Sequence, residues 1–288
     1  MTLHAGWIGL GSMGAAMARN AAGAGYLTHV WNRTRAASEQ LSAELGVTLA
    51  KSPAKLAAAV DVILMCVSAD ADVLAVVDQL LPALKPGQVV VDFSTVSRDT
   101  ALEAARRVRE KGADFLDAPV TGGMEGARQG TLAMMVGGEV STLERVRPLL
   151  ESMGKRIVHM GDTGTGQSAK AVNQIMCAGI NEAVTEALAF GAHLGLDMDK
   201  LIEVVSGGAA GNWFLDKRGH TMTQGSFTPG FKLGLHHKDL GICLAMAERL
   251  GIPLPLADTT RAHYERLMAA GHGDEDISAL YRLKRPVA

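Results

Sequence analysis

The chain has 288 residues, with 28 Lys and Arg against 30 Asp and Glu, so its formal net charge is −2. This balance argues against nucleic-acid binding, which normally needs a basic excess. Hydrophobic residues make up 48% of the sequence, which is enough for a substantial core and excludes a disordered chain. At ~150 residues per domain, the length predicts about two domains.

The three cysteines are far apart and odd in number, and the sequence has no CxxC pair. Neither a disulfide framework nor a cysteine zinc site is therefore indicated, and each thiol is expected to pack as a small apolar side chain. The longest apolar stretches are too short for a membrane span, and Met1 leads into a strand pattern instead of a signal peptide. We therefore expect a cytoplasmic protein without membrane association.

Short β-rich runs alternate with helical runs through the first half of the chain. In chain order, the predicted elements are strand 3–9, helix 12–24, strand 27–31, helices 35–45 and 53–59, strand 62–67, helix 73–84, strand 88–93, helix 100–111, strands 114–116 and 132–136, helix 140–153 and strand 156–159. The unbroken apolar run at 62–67 is typical of a strand buried on both faces. Repeated βα units of this kind predict a Rossmann-type α/β domain with a largely parallel sheet.

The pattern changes at the glycine-rich stretch 161–166, after which β-type runs disappear. Residues 167–194 contain no proline and predict one helix of roughly 40 Å at 1.5 Å per residue. Further helices are predicted at 199–206, 214–219, 233–250 and 257–270. We therefore predict a dinucleotide-binding domain over residues 1–162 and an all-α domain over 163–288, joined by the long helix.

The run Gly9-Leu10-Gly11-Ser12-Met13-Gly14 matches the pattern GxGxxG and lies between a predicted strand and a predicted helix. In this context the first glycine permits a tight turn, the second lets the backbone approach a pyrophosphate, and the third lets helix and strand pack closely. The start of the helix offers backbone N–H groups to the phosphates. A glycine-rich turn without a ligand is the alternative.

The second strand ends in Asn32-Arg33-Thr34, without the acidic residue that accepts a bond from the ribose of NAD. Arg33 can pair with a 2′-phosphate, Thr34 can donate to it, and Asn32 can bind ribose or phosphate without repulsion. The alternative is that Arg33 is a solvated surface residue. The sequence therefore predicts NADP as the cofactor, with NAD as the second choice.

Polar residues also follow the next strands, at Val67-Ser68 and at Thr95. Because ligands bind at the carboxyl edge of a parallel sheet, these residues are candidates for contact with the nicotinamide ribose. Capping of the helices that follow is the alternative.

Two further segments carry candidate chemistry. Thr121-Gly122-Gly123 can present a hydroxyl and close backbone N–H groups to a carboxylate, with a flexible turn as the alternative. On the long helix, Lys170 is followed at helical spacing by Asn173 and Gln174, so that an acid/base candidate and two amides share one face. If this helix joins the two domains, we expect that face to line a cleft.

A second cation is available in the final third, where Lys238 can reach the site and Asp239 can steady it. The neighbouring His236 and His237 point about 100° apart on a helix and have no evident third ligand, so no metal site is predicted. Trp213 and Phe214 are candidates for a pocket wall, with core packing as the alternative.

These segments together resemble the β-hydroxyacid dehydrogenase family, which includes 3-hydroxyisobutyrate dehydrogenase and tartronate, succinic semialdehyde and glyoxylate reductases. The resemblance covers nearly the whole chain and rests on GLGSMG at 9–14, DAPVTGG at 117–123, GTGQSAKAVNQ at 164–174 and KDL at 238–240. It implies NAD(P)-dependent interconversion of a small 3-hydroxy acid and its semialdehyde. It also implies a homodimer or homotetramer built on the helical domain.

By the same resemblance, Lys170 is the catalytic acid/base. The residues that it places around a carboxylate-bearing substrate are Thr121, Gly122, Gly123, Asn173, Gln174 and Lys238, the last also beside the cofactor. Gln174 stands where the family often has asparagine, and Thr121 stands where serine is common. An amide and a hydroxyl are kept at these positions, so we expect the activity to survive with altered substrate geometry.

Three other functions explain parts of the sequence. Imine reductases share the architecture but generally lack lysine at the position of Lys170. A 6-phosphogluconate dehydrogenase has a much larger helical domain. A non-catalytic NADP(H)-binding protein would leave Lys170, the TGG segment and Lys238 without a purpose. The identity of the hydroxy acid depends on pocket shape and stays open at this point.

Overall fold

The computed structural model describes residues 3–285 of the chain. The chain divides into two compact units, Met1–Lys170 and Ala171–Ala288. The division falls inside a long helix, eight residues after the predicted domain boundary at 162/163. That boundary stays a prediction.

Strands and helices alternate in the first unit, as the sequence pattern predicts. Its elements are β1 (Ala5–Ile8), α1 (Ser12–Gly23), β2 (Leu27–Trp31), α2 (Arg35–Leu45), β3 (Thr48–Leu49), α3 (Pro53–Ala57), β4 (Val62–Met65), α4 (Asp70–Leu80), β5 (Val89–Asp92), α5 (Arg98–Arg109), β6 (Asp114–Asp117), β7 (Val120–Thr121), α6 (Gly123–Gln129), β8 (Leu132–Gly137), α7 (Val140–Leu150), β9 (Gly154–Gly161) and the start of α8 (Thr165–His193).

The described strands form one sheet in the order β3-β2-β1-β4-β5-β6-β8-β7, with β9 paired to β8. The six strands β1 to β6 run parallel to one another. Strand β8 is antiparallel to both β6 and β7. This confirms the predicted Rossmann-type domain with a largely parallel sheet.

The central strands are buried on both faces of the sheet. Ile63 and Leu64 are both fully buried but belong to different hydrophobic clusters, and so do Val90 and Val91. Because successive side chains on a strand point to opposite faces, each strand supplies both layers of the core. The apolar run at 62–67 thus contains a strand buried on both faces, as predicted, although the strand itself ends at Met65.

Three short elements of the first unit were not predicted. They are the two-residue strands β3 and β7 and the helix α6. A strand of two residues has no periodicity to detect, and α6 starts with Gly123 and contains Gly126, both unfavourable in a helix interior. The two strands form because β2 and β8 offer them backbone hydrogen bonds.

The second unit is helical, as predicted. It contains the remainder of α8, then α9 (Met198–Ser206), α10 (Trp213–Thr223), α11 (Leu233–Leu250), α12 (Pro255–Ala269) and a 3₁₀ segment, Ile277–Leu283, that was not predicted. The bounds of α11 agree with the prediction because Gly251, with φ of +66°, ends this helix in the left-handed region.

A chain of buried polar groups connects the helices of this second unit. Asn181 Nδ2 donates to the Tyr264 hydroxyl at 2.8 Å and to the Ile277 carbonyl at 2.8 Å. Burial raises the pKa of Tyr264, and its hydroxyl lies 3.0 Å from His236 Nδ1. His236 Nε2–H then donates to the Gln174 carbonyl at 3.1 Å. Because a carbonyl oxygen can only accept, the proton on Nε2 of this buried imidazole is assigned by the contact.

Candidate active site

The three glycines of the loop after β1 are required for three different reasons. Gly9 has φ of +90°, and a Cβ there would collide with the Cys66 carbonyl. A Cβ at Gly14 would collide with the Gly9 carbonyl, so this position is needed for packing. A Cβ at Gly11 would meet no protein atom within 4 Å. The space above Gly11 is therefore open to a ligand, as a pyrophosphate requires.

This loop is held in place by side chains from two directions. The buried Trp7 stacks on Phe93 at 5.6 Å between ring centroids, and its Nε1 donates to the Gly9 carbonyl at 2.9 Å. Asn32 Oδ1 accepts from Leu10 N at 2.9 Å. Helix α1 begins at Ser12 without a side-chain cap, so its first turn presents backbone N–H groups at the loop. The arrangement fits a dinucleotide.

The predicted adenosine-binding residues lie at the end of β2. Asn32 Nδ2 donates to the Thr34 carbonyl at 3.0 Å, so both ends of this amide contact backbone and Asn32 orders the loop itself. Thr34 is the N-cap residue of α2, but its hydroxyl makes no capping bond. Arg33 has an exposed side chain whose Nη1 lies 2.6 Å from Asp72 Oδ1. Their contacts with a cofactor stay predictions.

The polar residues Ser68 and Thr95 do not cap the helices that follow them. The N-cap residues of α4 and α5 are Ala69 and Ser97. The capping alternative is therefore wrong for both residues. Their proposed contact with the nicotinamide ribose, together with that of Val67, stays a prediction.

The start of α8 is anchored by the carboxylate of Asp117 at the end of β6. Asp117 is fully buried, and its two oxygens accept from Gly164 N at 2.7 Å and Gln167 N at 2.9 Å. Burial raises the pKa of Asp117, and bonds from backbone N–H groups act in the opposite direction. A Cβ at Gly166 would collide with the Met135 carbonyl, so only glycine allows this approach.

Asp117 belongs to the DAPVTGG motif, but the sequence alone does not indicate its role. Gly164 and Asp117 are 47 residues apart, and no local pattern pairs a carboxylate with a helix start at that distance. The side chain of Gln167 was missed for the same reason. Its Nε2 donates to the Ser94 carbonyl at 2.7 Å and its Oε1 accepts from Val96 N at 3.2 Å, while Ser94 Oγ accepts from Val67 N at 2.8 Å.

Lys170 follows this anchored turn and lies beside the TGG segment. Its Nζ donates to the Val120 carbonyl at 2.9 Å, and the residue is 7% exposed. Val120 directly precedes Thr121. Gly122 and Gly123 have φ of +125° and +63°, and α6 begins at Gly123. The structure therefore brings the candidate acid/base and the candidate carboxylate site together within the first unit.

In the second unit, four predicted polar residues form a continuous chain. Asn173 Nδ2 donates to Gln174 Oε1 at 2.8 Å, and Gln174 Nε2 donates to Asp239 Oδ2 at 2.6 Å. Lys238 Nζ lies 3.0 Å from Asp239 Oδ1. Gln174 and Asp239 are buried, whereas Asn173 is half-buried. The buried members thus orient Asn173 and Lys238.

The two aromatic candidates have different environments. Phe214 is 7% exposed and packs in the hydrophobic cluster of the helical unit, which favours the core-packing alternative. Trp213 is 49% exposed, with the Arg218 guanidinium 5.6 Å from its ring centroid, and stays a candidate. His237 lies 3.2 Å from Glu265. Within residues 3–285, no three His, Cys, Asp or Glu side chains are grouped as a metal site requires.

Family models match both units of the chain. Residues 4–161 match the NAD binding domain of 6-phosphogluconate dehydrogenase. Residues 164–284 match the NAD-binding domain of NADP-dependent 3-hydroxyisobutyrate dehydrogenase.

Known proteins resemble the chain over nearly its full length. A 2-hydroxy-3-oxopropionate reductase of Escherichia coli is 40% identical over 278 residues, covering 96% of this chain and 94% of that protein. The structure of Mycobacterium tuberculosis 3-hydroxyisobutyrate dehydrogenase with L-serine has a TM-score of 0.89 at 33% identity and covers 99% and 100% of the two chains. Psf3 in complex with NADP+ and 2-OPP has a TM-score of 0.87 at 26% identity, covering 97% and 99%.

The fold, the glycine loop and these matches define an NAD(P)-dependent oxidoreductase. The chain belongs to the β-hydroxyacid dehydrogenase family, whose members act on 3-hydroxy acids and the corresponding aldehydes. In the part of the chain that the structure describes, no helix is both long and apolar enough to cross a membrane.

Two glycine substitutions separate binding from folding. Gly11→Ala adds a methyl group in open space, so we expect unchanged stability and at least a roughly tenfold loss of NADPH affinity. Gly14→Ala forces a methyl group into packed backbone and should lower the free energy of unfolding by about 1–3 kcal/mol. Urea denaturation and fluorescence titration with NADPH measure the two effects. Normal NADPH binding by Gly11→Ala would show that the loop does not hold the pyrophosphate.

Proposed function

We propose that this protein interconverts a small, carboxylate-bearing 3-hydroxy acid and its semialdehyde, with Lys170 as the general acid/base. The observation that carries the proposal is the position of Lys170, whose ammonium lies against the carbonyl of the residue preceding Thr121-Gly122-Gly123. An amine and a carboxylate site at this spacing suit a substrate with its reacting oxygen close to its carboxylate. A nicotinamide, when bound, supplies or accepts the hydride.

The protein's own groups divide the remaining tasks. In reduction, Lys170 donates a proton to the carbonyl oxygen, and in oxidation it takes the hydroxyl proton. Thr121 Oγ and the backbone N–H groups after it hold the carboxylate. Asn173 is half-buried and orients the reacting oxygen, while Gln174 is buried and positions Asn173 through its Oε1.

A three-carbon oxo acid is the substrate that the similarities favour. The E. coli relative that shares 40% identity over 96% of this chain is named for 2-hydroxy-3-oxopropionate. A solved structure with a TM-score of 0.89 is described with L-serine. Both compounds carry a carboxylate and an oxygen on the third carbon, as does 3-hydroxyisobutyrate. Steady-state assays with all three, and with succinic semialdehyde and glyoxylate, in both directions would rank them.

Replacing Lys170 tests the acid/base assignment. Lys170→Met keeps most of the side-chain volume but carries no proton, so kcat should fall by roughly 10²–10⁴-fold while NADPH affinity changes little. Lys155→Met, which replaces an exposed lysine on β9, is the matched control and should keep wild-type kcat. Turnover close to wild type in Lys170→Met would exclude this lysine from the reaction.

We further propose that the enzyme prefers NADP(H) to NAD(H). Arg33 supports this because its side chain is 81% exposed at the end of β2, where no carboxylate occupies positions 32–34. A guanidinium–phosphate contact is charge-assisted and contributes ~1.5–3 kcal/mol, or roughly a tenfold to hundredfold preference.

The cofactor proposal predicts a selective defect. Arg33→Ala should raise KM for NADPH roughly tenfold or more and leave KM for NADH nearly unchanged, because only NADPH carries the 2′-phosphate. Arg35→Ala, which removes a neighbouring and equally exposed guanidinium, should affect neither cofactor. Equal losses with both cofactors in Arg33→Ala, or a wild-type preference for NADH, would contradict the assignment.

We also propose that the protein forms a homodimer or homotetramer through its helical unit. Along α8, Val172, Met176 and Ile180 follow one another at four-residue spacing and are 53%, 62% and 40% exposed. Such a row forms a continuous apolar stripe on one helix face, which a second copy of the chain can cover.

Light scattering at micromolar concentration should give two or four times the mass of one chain. Met176→Glu places a charge in the middle of the stripe and should shift the mass towards that of a single chain. Val140→Glu, which adds the same charge at a 51% exposed position on α7, serves as the control and should leave the mass unchanged. A wild-type protein with the mass of one chain would exclude this assembly.

A further inference from the structure

The side chain of Arg33 is already engaged by a carboxylate of the same unit. Its Nη1 lies 2.6 Å from Asp72 Oδ1, in the first turn of α4. The Asp72 side chain is 24% exposed, against 81% for Arg33. The carboxylate is therefore the fixed partner of this ion pair, and the guanidinium is the partner that solvent or a ligand can reach.

The turn that carries Asp72 is itself anchored. The neighbouring Asp70 accepts from Ser97 N at 2.8 Å and from Thr100 Oγ1 at 2.6 Å, which ties the start of α4 to the start of α5. Burial raises the pKa of Asp70, but these hydrogen bonds outweigh it and the net pKa is lowered, so Asp70 stays ionised. An acidic residue in the first turn of a helix is also favoured by the helix dipole. The position of Asp72 is thus well determined.

A fixed carboxylate at this place affects the two cofactors differently. A 2′-phosphate that pairs with Arg33 carries ~1.5–2 negative charges at neutral pH and is repelled by Asp72, which also occupies one donor of the guanidinium. A ribose 2′-hydroxyl is neutral and can donate to a carboxylate. Asp72 therefore opposes NADP(H) without opposing NAD(H).

We propose that Asp72 is a specificity-determining residue that competes with the 2′-phosphate for Arg33 and so limits the preference for NADP(H). The inference rests on the proposed function of Arg33 as the reader of that phosphate. The carboxylate that faces Arg33 comes from α4, whereas the end of β2 carries no acidic residue.

Removing the charge of Asp72 should tighten NADPH binding. For Asp72→Asn we expect the Kd of NADPH to fall about three- to tenfold, the range of an exposed ion pair with a multiply charged ligand. The Kd of NADH should be unchanged or slightly higher. Both constants are measured by fluorescence titration of the full chain, so the result does not depend on turnover.

The chain offers a matched control for this substitution. Arg35 and Glu39 form an exposed ion pair of the same 2.6 Å length within α2. Glu39→Gln therefore changes the net charge by the same amount and releases a neighbouring guanidinium, and it should leave both Kd values unchanged. In an Arg33→Ala background, Asp72→Asn should gain less NADPH affinity than in wild type, because no guanidinium is left to compete for.

The outcomes separate this inference from the cofactor proposal. If Arg33→Ala leaves NADPH binding unchanged, Arg33 does not read the phosphate and both proposals are wrong. If Arg33→Ala weakens NADPH binding but Asp72→Asn, like the control Glu39→Gln, leaves the Kd of NADPH unchanged, only the role proposed for Asp72 is wrong. If Asp72→Asn weakens NADPH binding, Asp72 orients Arg33 for the phosphate, and competition is excluded.

Discussion

The hydrogen bonds between the Asp117 carboxylate and the start of α8 determine where the candidate acid/base lies. A buried carboxylate without partners is costly, and the first N–H groups of a helix have no partners within it. In this structure each satisfies the other, through Gly164 and Gln167. Because the first turn of α8 is held in this way, Lys170 follows at a defined place and reaches the Val120 carbonyl.

The glycine loop after β1 is likewise held by a few specific hydrogen bonds. Trp7 and Asn32 hold its backbone, so the open space above Gly11 exists before any ligand binds. Preorganisation of this kind lowers the entropic cost of binding. The contacts that Asn32 makes in this structure are with the backbone of Leu10 and Thr34. Arg33, next to it, contacts the Asp72 carboxylate at 2.6 Å.

In the helical unit, buried hydrogen bonds determine which polar groups face outward. His236 lies within the chain of bonds that includes Tyr264 and the Gln174 carbonyl, which accounts for an imidazole that is fully buried. The Gln174 side chain is in turn bonded to Asp239. Of the two amides of the KxxNQ segment, Gln174 is therefore buried, whereas Asn173 is half-buried.

The sequence by itself determined the α/β domain, the long helix, the helical second half and the glycine loop, because these depend on local periodicity, on glycine and on apolar runs. The bounds of β2, α2 and α11 follow from such signals. Only the tertiary structure decided the strands β3 and β7, the pairing of Asp117 with α8, and the partner of Arg33. The two strands are too short to show a periodicity, and the two side-chain contacts join residues that are distant in the sequence. Which donor meets which acceptor is then set by the packing of whole elements, and no local pattern records it.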